Sequence, residues 1–216
     1  MRQAVEFADR ISALRVIPVV EIPGVEYAVP LAEALVGAGL PCAEITFRTD
    51  SAAAAIAAIA ASVPDIYLGA GTVLSVEQAD AAIAAGAKFL VAPGFNPRVV
   101  AHAANRGIPM LPGIATPTDI EQALSYGISL VKFFPAEANG GVSYLKAVAA
   151  PYGGVRFVPT GGVGPKNLLS YLGLPQVAAC GGSWMVKKDL IVAKDFDSVG
   201  RLAAEAVALA AESEVR

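Results

Sequence analysis

The chain has 216 residues, of which 55% are hydrophobic and 16% charged, with a formal net charge of −3; a soluble domain averages roughly 25% charged residues. This balance allows a large core and leaves little solvating surface, which favours part of that surface being hidden in an oligomer. No Lys/Arg run or basic stripe supports nucleic-acid binding, the longest apolar run, AAAAIAAIAASV, is too short to span a bilayer, and two cysteines with one histidine are too few for a disulfide framework or a zinc-type cluster.

The opening MRQAVEFADRI is mixed in charge and predicts a short amphipathic helix rather than a signal peptide, and reduced thiols in a cytoplasmic setting are the expectation. VIPVVEI (16–22) predicts the first strand, followed by an alanine-rich helix from about Tyr27. CAEITF (42–47) is next, with a helix after Asp50, and YLGAGT (67–72) then precedes a helix opened by Ser75, with Glu77 and Gln78 in its first turn. FLVAP (89–93) leads to a helix near Asn96–Pro97, and PMLPGI (109–114) to one opened by Thr116–Pro117. LVKFFP (130–135) precedes a helix near Gly141, and RFVPTG (156–161) one near Pro165. VAACGGS (177–183) is the last strand, with a closing helix from about Phe196 to Glu212.

Eight strand–helix pairs on an unbroken chain fit a single α/β domain over 1–216, a (β/α)₈ TIM barrel with an extra N-terminal helix. The rival is an open doubly wound sheet. No G-x-G-x-x-G follows the first strand, where VVEIPGVEYA stands instead.

The strands finish on polar, glycine and proline residues: EITFRT, GAGT, VAPG, LPGI, FFPAE, VPTGG and ACGGS. In a barrel that rim carries the active site, although strands also need such residues simply to turn. On strand two, Glu44, Thr46 and Arg48 alternate and so share one face, with Ile45 and Phe47 facing the helices. On strand six, Val131 and Phe133 suit the helix side, which turns Lys132 inward toward Glu44. Lysine is rarely buried without a partner or a task. An ordinary lysine amine is almost wholly protonated at neutral pH, and an apolar site or a neighbouring cation such as Arg48 raises the neutral fraction that attacks carbonyls. An imine-forming lysine beside a carboxylic acid that moves protons is what a class I aldolase requires. The competing reading is a buried Lys–Glu pair that only organises the core. VPTGGVGP (158–165) and ACGGSW (179–184) each set a glycine pair between a strand and a helix start, where backbone N–H groups can approach an anion. No lysine or arginine lies within these two loops, so a phosphate there would rest on amides and the Ser183 hydroxyl.

EITFRT, GAGTVL, KFFPAEANGG, PTGGV and GGSW, in this order and spacing, make the chain resemble the 2-keto-3-deoxy-6-phosphogluconate (KDPG) and 4-hydroxy-2-oxoglutarate (KHG) aldolase family from about Leu14 to Lys187. The resemblance implies a homotrimeric barrel that splits KDPG into pyruvate and glyceraldehyde 3-phosphate with no metal or other cofactor. It implies that Lys132 forms the imine and that Glu44 is the general acid/base. Arg48 and Thr72 would hold the pyruvate carboxylate, Pro93 and Phe134 would wall the pocket, and Thr160 would meet the sugar hydroxyls. Gly161, Gly162, Gly182 and Ser183 would cradle the phosphate. The alternatives are an aldolase for unphosphorylated KHG or for the galactonate epimer, a phosphate-barrel isomerase or epimerase, and a non-catalytic binding protein. His102 is expected on an exposed helix, Cys42 and Cys180 in the core, and Trp184 behind the phosphate loop. Glu21, near the first strand's tip, reads equally as structural or as substrate-contacting.

Overall fold

The computed structural model describes residues 2–214. Nine short strands lie among the described residues, with helices between consecutive strands except β5 and β6: β1 (Val16–Val20), β2 (Cys42–Thr46), β3 (Tyr67–Gly71), β4 (Phe89–Val91), β5 (Met110–Leu111), β6 (Gly113–Ile114), β7 (Leu130–Phe133), β8 (Arg156–Pro159) and β9 (Cys180–Gly182). All pairings are parallel, in a six-stranded sheet of order β5-β4-β3-β2-β1-β9 and a three-stranded sheet of order β6-β7-β8. Two isolated parallel bridges, Phe157 to Val177 and Thr160 to Gly181, link the β8 side to the β9 side. The protein is therefore an α/β fold with a curved, barrel-like parallel sheet.

The expected fifth strand over 109–114 is two pieces. Pro112 has no N–H to give to a ladder, so the sheet breaks there. Its carbonyl still accepts from Lys132 N at 2.9 Å. Gly113 keeps this crossing tight: a Cβ on it would lie 2.0 Å from Pro93 O.

Strand alternation sorts the apolar residues into two layers. Val131 and Phe133 of β7 and Ile45 of β2 face the helices in the outer layer. Leu130, Cys42, Tyr67, Phe89 and Val158 point inward. The inner layer is closed by Phe7, Ala8 and Ile11 of α1 (Arg2–Leu14), the extra helix anticipated at the start of the chain. Phe7 and Tyr67 meet the Phe89 ring at 5.7 and 4.9 Å between centroids, and the Arg10 guanidinium lies 4.0 Å above Tyr67. Burying one such aromatic stabilises the fold by about 1.5–3 kcal/mol. These contacts fill one end of the lumen and leave the other for chemistry.

The outer helices are α2 (Ala28–Gly37), α3 (Ala52–Ser62), α4 (Val76–Ala84), α5 (Pro97–Asn105), α6 (Pro117–Ser125), α7 (Gly141–Ala149), α8 (Leu168–Leu172), α9 (Lys188–Val192) and α10 (Phe196–Ala211). Several start on the caps the sequence offers. Ser75 accepts from Gln78 N at 3.2 Å, Asn96 accepts from Arg98 N at 3.1 Å ahead of Pro97, and Thr116 forms a capping box with Asp119. Each cap contributes about 1 kcal/mol. The helix expected near Pro165 starts later, at Leu168. Asn167 ties the intervening turn by accepting from Gly164 N at 2.8 Å and donating to Gly162 O at 3.1 Å. Helix α9 has no counterpart in the sequence reading. No described helix is long and apolar enough to cross a membrane.

Candidate active site

Lys132 and Glu44 come together across the lumen. Glu44 sits in β2 in register with Val19 and Gly69, and Lys132 sits in β7 in register with Gly113 and Val158. Their neighbours along each strand pack outward, so both side chains project inward. Lys132 Nζ donates to Glu44 Oε1 at 3.2 Å, with the two side chains only 7% and 3% exposed. Desolvating two charges costs several kcal/mol per ion, and apolar residues of similar volume often hold a fold as well or better. Stability alone is thus a poor reason for this pair, whereas a reaction needing an amine and a proton carrier in a dry site is a good one.

Space for the carboxylate is reserved by Gly71 at the end of β3. A Cβ there would lie 2.3 Å from Glu44 Oε1 and 2.7 Å from its Cγ. Gly71→Ala must displace the glutamate. Because a misplacement of about 1 Å can cost on the order of 100-fold in rate, the expected result is a kcat lowered about 10- to 100-fold in a protein that still folds. Steady-state kinetics alongside thermal melting checks it.

Above the pair opens a cavity of about 640 Å³. Thr46, two residues along β2 from Glu44, and Phe134, two along from Lys132, both line it, as does Thr160. Lys132 and Glu44 are themselves not among the lining residues; each lies two positions back along its strand, and Lys132 Nζ is 5.4 Å from the ring centroid of the lining Phe134.

Gly161 and Gly162 of the first glycine pair and Gly182 of the second border the same cavity. Gly161 and Gly162 take φ of 98° and 81°, left-handed values that side chains rarely adopt. The loop is held from below. Ala136 N donates to Thr160 O at 2.8 Å, Glu137 N donates to Gly161 O at 3.0 Å, and the buried Tyr171 hydroxyl donates to Glu137 Oε1. Glu137 Cγ occupies the space a Gly162 Cβ would need, at 2.5 Å. Gly182 is similarly covered by the Trp184 ring, 1.9 Å from where its Cβ would stand. Trp184 is half-buried, and Ser183 is exposed at the rim.

Arg48 departs from its expected position. Strand β2 ends at Thr46, and 47–50 turn, so Arg48 is an exposed side chain on the cavity wall and not the third inward residue of the strand. Thr72 and Pro93, half-buried at the tips of β3 and β4, do not line the cavity. Thr72 has φ 57°, uncommon for a β-branched residue and typical of backbone retained at functional sites.

Cations outside the two glycine loops join the amides and the Ser183 hydroxyl expected at the anion site. Lys187 and Lys188, from the segment after the second glycine pair, line the cavity along with Glu21. Lys188 Nζ donates to Glu21 Oε1 at 2.7 Å. That bond, helped by the field of Arg48, holds the Glu21 carboxyl below its ordinary range. The adjacent lysines close to GGSW were the signal available in the sequence.

The remaining candidates are structural. His102 is half-buried, not freely exposed, and its Nε2 lies 2.9 Å from Asp80 Oδ1, joining α5 to α4. Cys42 and Cys180 are buried, and burial pushes both thiols up. Among the described residues no group of three or more His, Cys, Asp or Glu is arranged to hold a metal ion. A second hollow, of about 620 Å³, lies between α2 and α10 and contains none of the candidate residues.

Comparison with known proteins places the chain in a family. The family model described as KDPG and KHG aldolase matches residues 7–202. A 2-dehydro-3-deoxy-phosphogluconate aldolase of Treponema pallidum is 58% identical over 194 residues, covering 90% of this chain and 92% of the relative. The structure of KDPG aldolase from Legionella pneumophila, with pyruvate captured as a covalent carbinolamine intermediate, superposes with a TM-score of 0.89 at 38% identity and covers 92% of this chain and 97% of that one. The Zymomonas mobilis KDPG aldolase with 3-phosphoglycerate gives a TM-score of 0.88 at 39% identity, covering 94% and 95%.

Proposed function

Since this chain belongs to the KDPG and KHG aldolase family, we propose that it splits KDPG into pyruvate and glyceraldehyde 3-phosphate through an imine on Lys132. The observation that carries the assignment of residues is the buried 3.2 Å contact between Lys132 Nζ and Glu44 Oε1 beneath an open cavity. The Legionella relative, which holds pyruvate as a covalent carbinolamine, supports imine chemistry as the reaction type.

The chemistry then runs as a cycle in which Glu44 carries the protons. The neutral Lys132 amine attacks the C2 carbonyl, and Glu44 protonates the departing hydroxyl, so that one water leaves as the imine forms. The protonated imine draws in the electrons of the C3–C4 bond while Glu44 takes the proton of the C4 hydroxyl. Glyceraldehyde 3-phosphate leaves and an enamine stays on Lys132. Glu44 returns its proton to C3, and one water hydrolyses the pyruvate imine. The electron sink is the imine itself, so the reading assigns no metal or other cofactor.

Binding roles follow the polarity of the cavity. Arg48 is assigned to the pyruvyl carboxylate, Phe134 to the wall around C2 and Thr160 to the sugar hydroxyls, all three on the cavity lining; Thr72 and Pro93, at the tips of β3 and β4 outside that lining, are assigned to the carboxylate and the wall by the family resemblance alone. Gly161, Gly162, Gly182 and Ser183 are assigned to the phosphate, supported by the left-handed backbone of the first pair and by the Zymomonas relative that holds 3-phosphoglycerate. We read β5 and β6 as one strand broken at Pro112, which counts eight strands in a single barrel over the chain; the isolated β8–β9 bridges support that reading. Homotrimeric assembly belongs to the same proposal, supported by exposed Leu74, Leu124 and Tyr126 around the β3, β4 and α6 tips, where Tyr126 also meets Phe95.

KHG is the second substrate the family description includes. The glycine pairs and the cationic rim favour the phosphorylated one. A coupled assay that measures pyruvate release from both substrates tests the ranking. We expect kcat/KM to favour KDPG by at least about tenfold, the size of one charge-assisted contact. A preference for KHG would reverse the assignment of the phosphate end.

A further inference from the structure

Apart from Arg48, assigned above to the pyruvyl carboxylate, the charged side chains at the rim of the cavity have no role in the reaction as written. Three cations, Arg48, Lys187 and Lys188, and one carboxylate, Glu21, line it. Only Lys188 and Glu21 are paired with each other, at 2.7 Å, and their side chains are 60% and 37% exposed. A surface ion pair of this kind contributes little to stability, about 0–1 kcal/mol. Its position is the informative part: Gly161, Gly162, Gly182 and Ser183 border the same cavity.

We propose that Lys188 determines specificity for the phosphate end of the substrate, with Glu21 holding its ammonium in place over the cavity until the phosphate arrives. The proposal rests on the aldolase reading. A phosphate monoester carries roughly −1.5 to −2 charges at pH 7, against −1 for the carboxylate, so the ammonium gains by turning from Glu21 to the ligand. Glu21 by itself would repel that phosphate. Lys188 therefore acts twice, as an attractive partner and as the group that neutralises Glu21. The Lys188 bond, helped by the field of Arg48, holds the Glu21 carboxyl below its ordinary range, which agrees with an ionised carboxylate at the rim. KHG ends in a single carboxylate in place of the phosphate, so the rim discriminates between the two substrates by charge.

This double role has a distinctive signature in a mutant cycle. Cleavage of KDPG and of KHG is measured for the wild type, Lys188→Met, Glu21→Gln and the double variant. In Lys188→Met, the KM for KDPG should rise about tenfold while kcat moves less than about threefold and the KM for KHG changes little, the scale of one partly screened charge-assisted contact. Adding Glu21→Gln to Lys188→Met should recover about threefold of that loss, because the uncompensated carboxylate is gone. Lys188→Arg should retain most of the wild-type KM. The proposal is overturned if Lys188→Met leaves the KM for KDPG unchanged, if both substrates lose equally, or if the two substitutions add with no recovery. A folded wild type that cleaves neither substrate overturns the aldolase reading and this assignment together. A wild type that cleaves KDPG beside an unaffected Lys188→Met overturns this assignment alone.

Discussion

Lys132→Met abolishes aldol cleavage, with kcat reduced on the order of 10⁵-fold or more, the scale seen when a covalent nucleophile is removed. Methionine matches the length and apolar stem of lysine and cannot form an imine. The substitution also has a stability effect that must be separated from the catalytic one. It leaves Glu44 buried and 3% exposed without its donor. Removing one member of a buried pair costs about 3–5 kcal/mol. Combining Lys132→Met with Glu44→Gln takes away the stranded charge and should restore much of the melting temperature while activity stays absent. If the pair served only to organise the core, activity would track stability through this series. The catalytic account predicts that the two part company in the double variant, as read by thermal melts and a pyruvate-release assay on the same samples.

The second large effect belongs to Glu44. Glu44→Gln keeps the shape of the side chain and an oxygen that can accept from Lys132 Nζ, and it loses the ability to carry a proton. General acid–base groups contribute about 10²- to 10⁴-fold, so kcat for KDPG should fall by that amount. The amine remains, so covalent trapping with pyruvate should persist at a reduced rate. Exchange of the pyruvate methyl hydrogens with deuterated water isolates the enamine protonation step and should slow by a similar factor. Unimpaired exchange would move the proton to a different carrier.

The central pair could be read from the sequence because strand alternation is a local rule. Val131 and Phe133 are apolar and pack outward in the structure, which leaves Lys132 inward, and Ile45 does the same for Glu44. The helix caps at Ser75, Asn96 and Thr116 are equally local and lie where the sequence puts them. The misreadings arise where tertiary geometry overrides a periodic pattern. Arg48 continues the period of two on paper, but β2 stops at Thr46: the bond from Phe47 N to Gly71 O at 2.7 Å is the last rung of the ladder, and 47–50 turn away beyond it. The strand over 109–114 keeps its direction across Pro112 but loses a ladder bond there. Asn167 delays α8 by bonding back to Gly162 and Gly164, a choice that depends on the shape of the preceding loop. The contact of Lys188 with Glu21 spans 167 positions. Nothing local to either residue announces it, and it is the closing of the sheet between β1 and β9 that brings the two ends of the chain to one rim.

The central claim is that a single amine, that of Lys132, becomes covalently bonded to substrate. Borohydride reduction of the native protein in the presence of pyruvate, followed by peptide mass spectrometry, reads this directly. The account predicts one reduced pyruvyl group per chain, on the peptide containing Lys132, with none when pyruvate is omitted and none in Lys132→Met. A folded, wild-type protein whose Lys132 peptide stays unmodified, or a label on Lys187 or Lys188 instead, contradicts it.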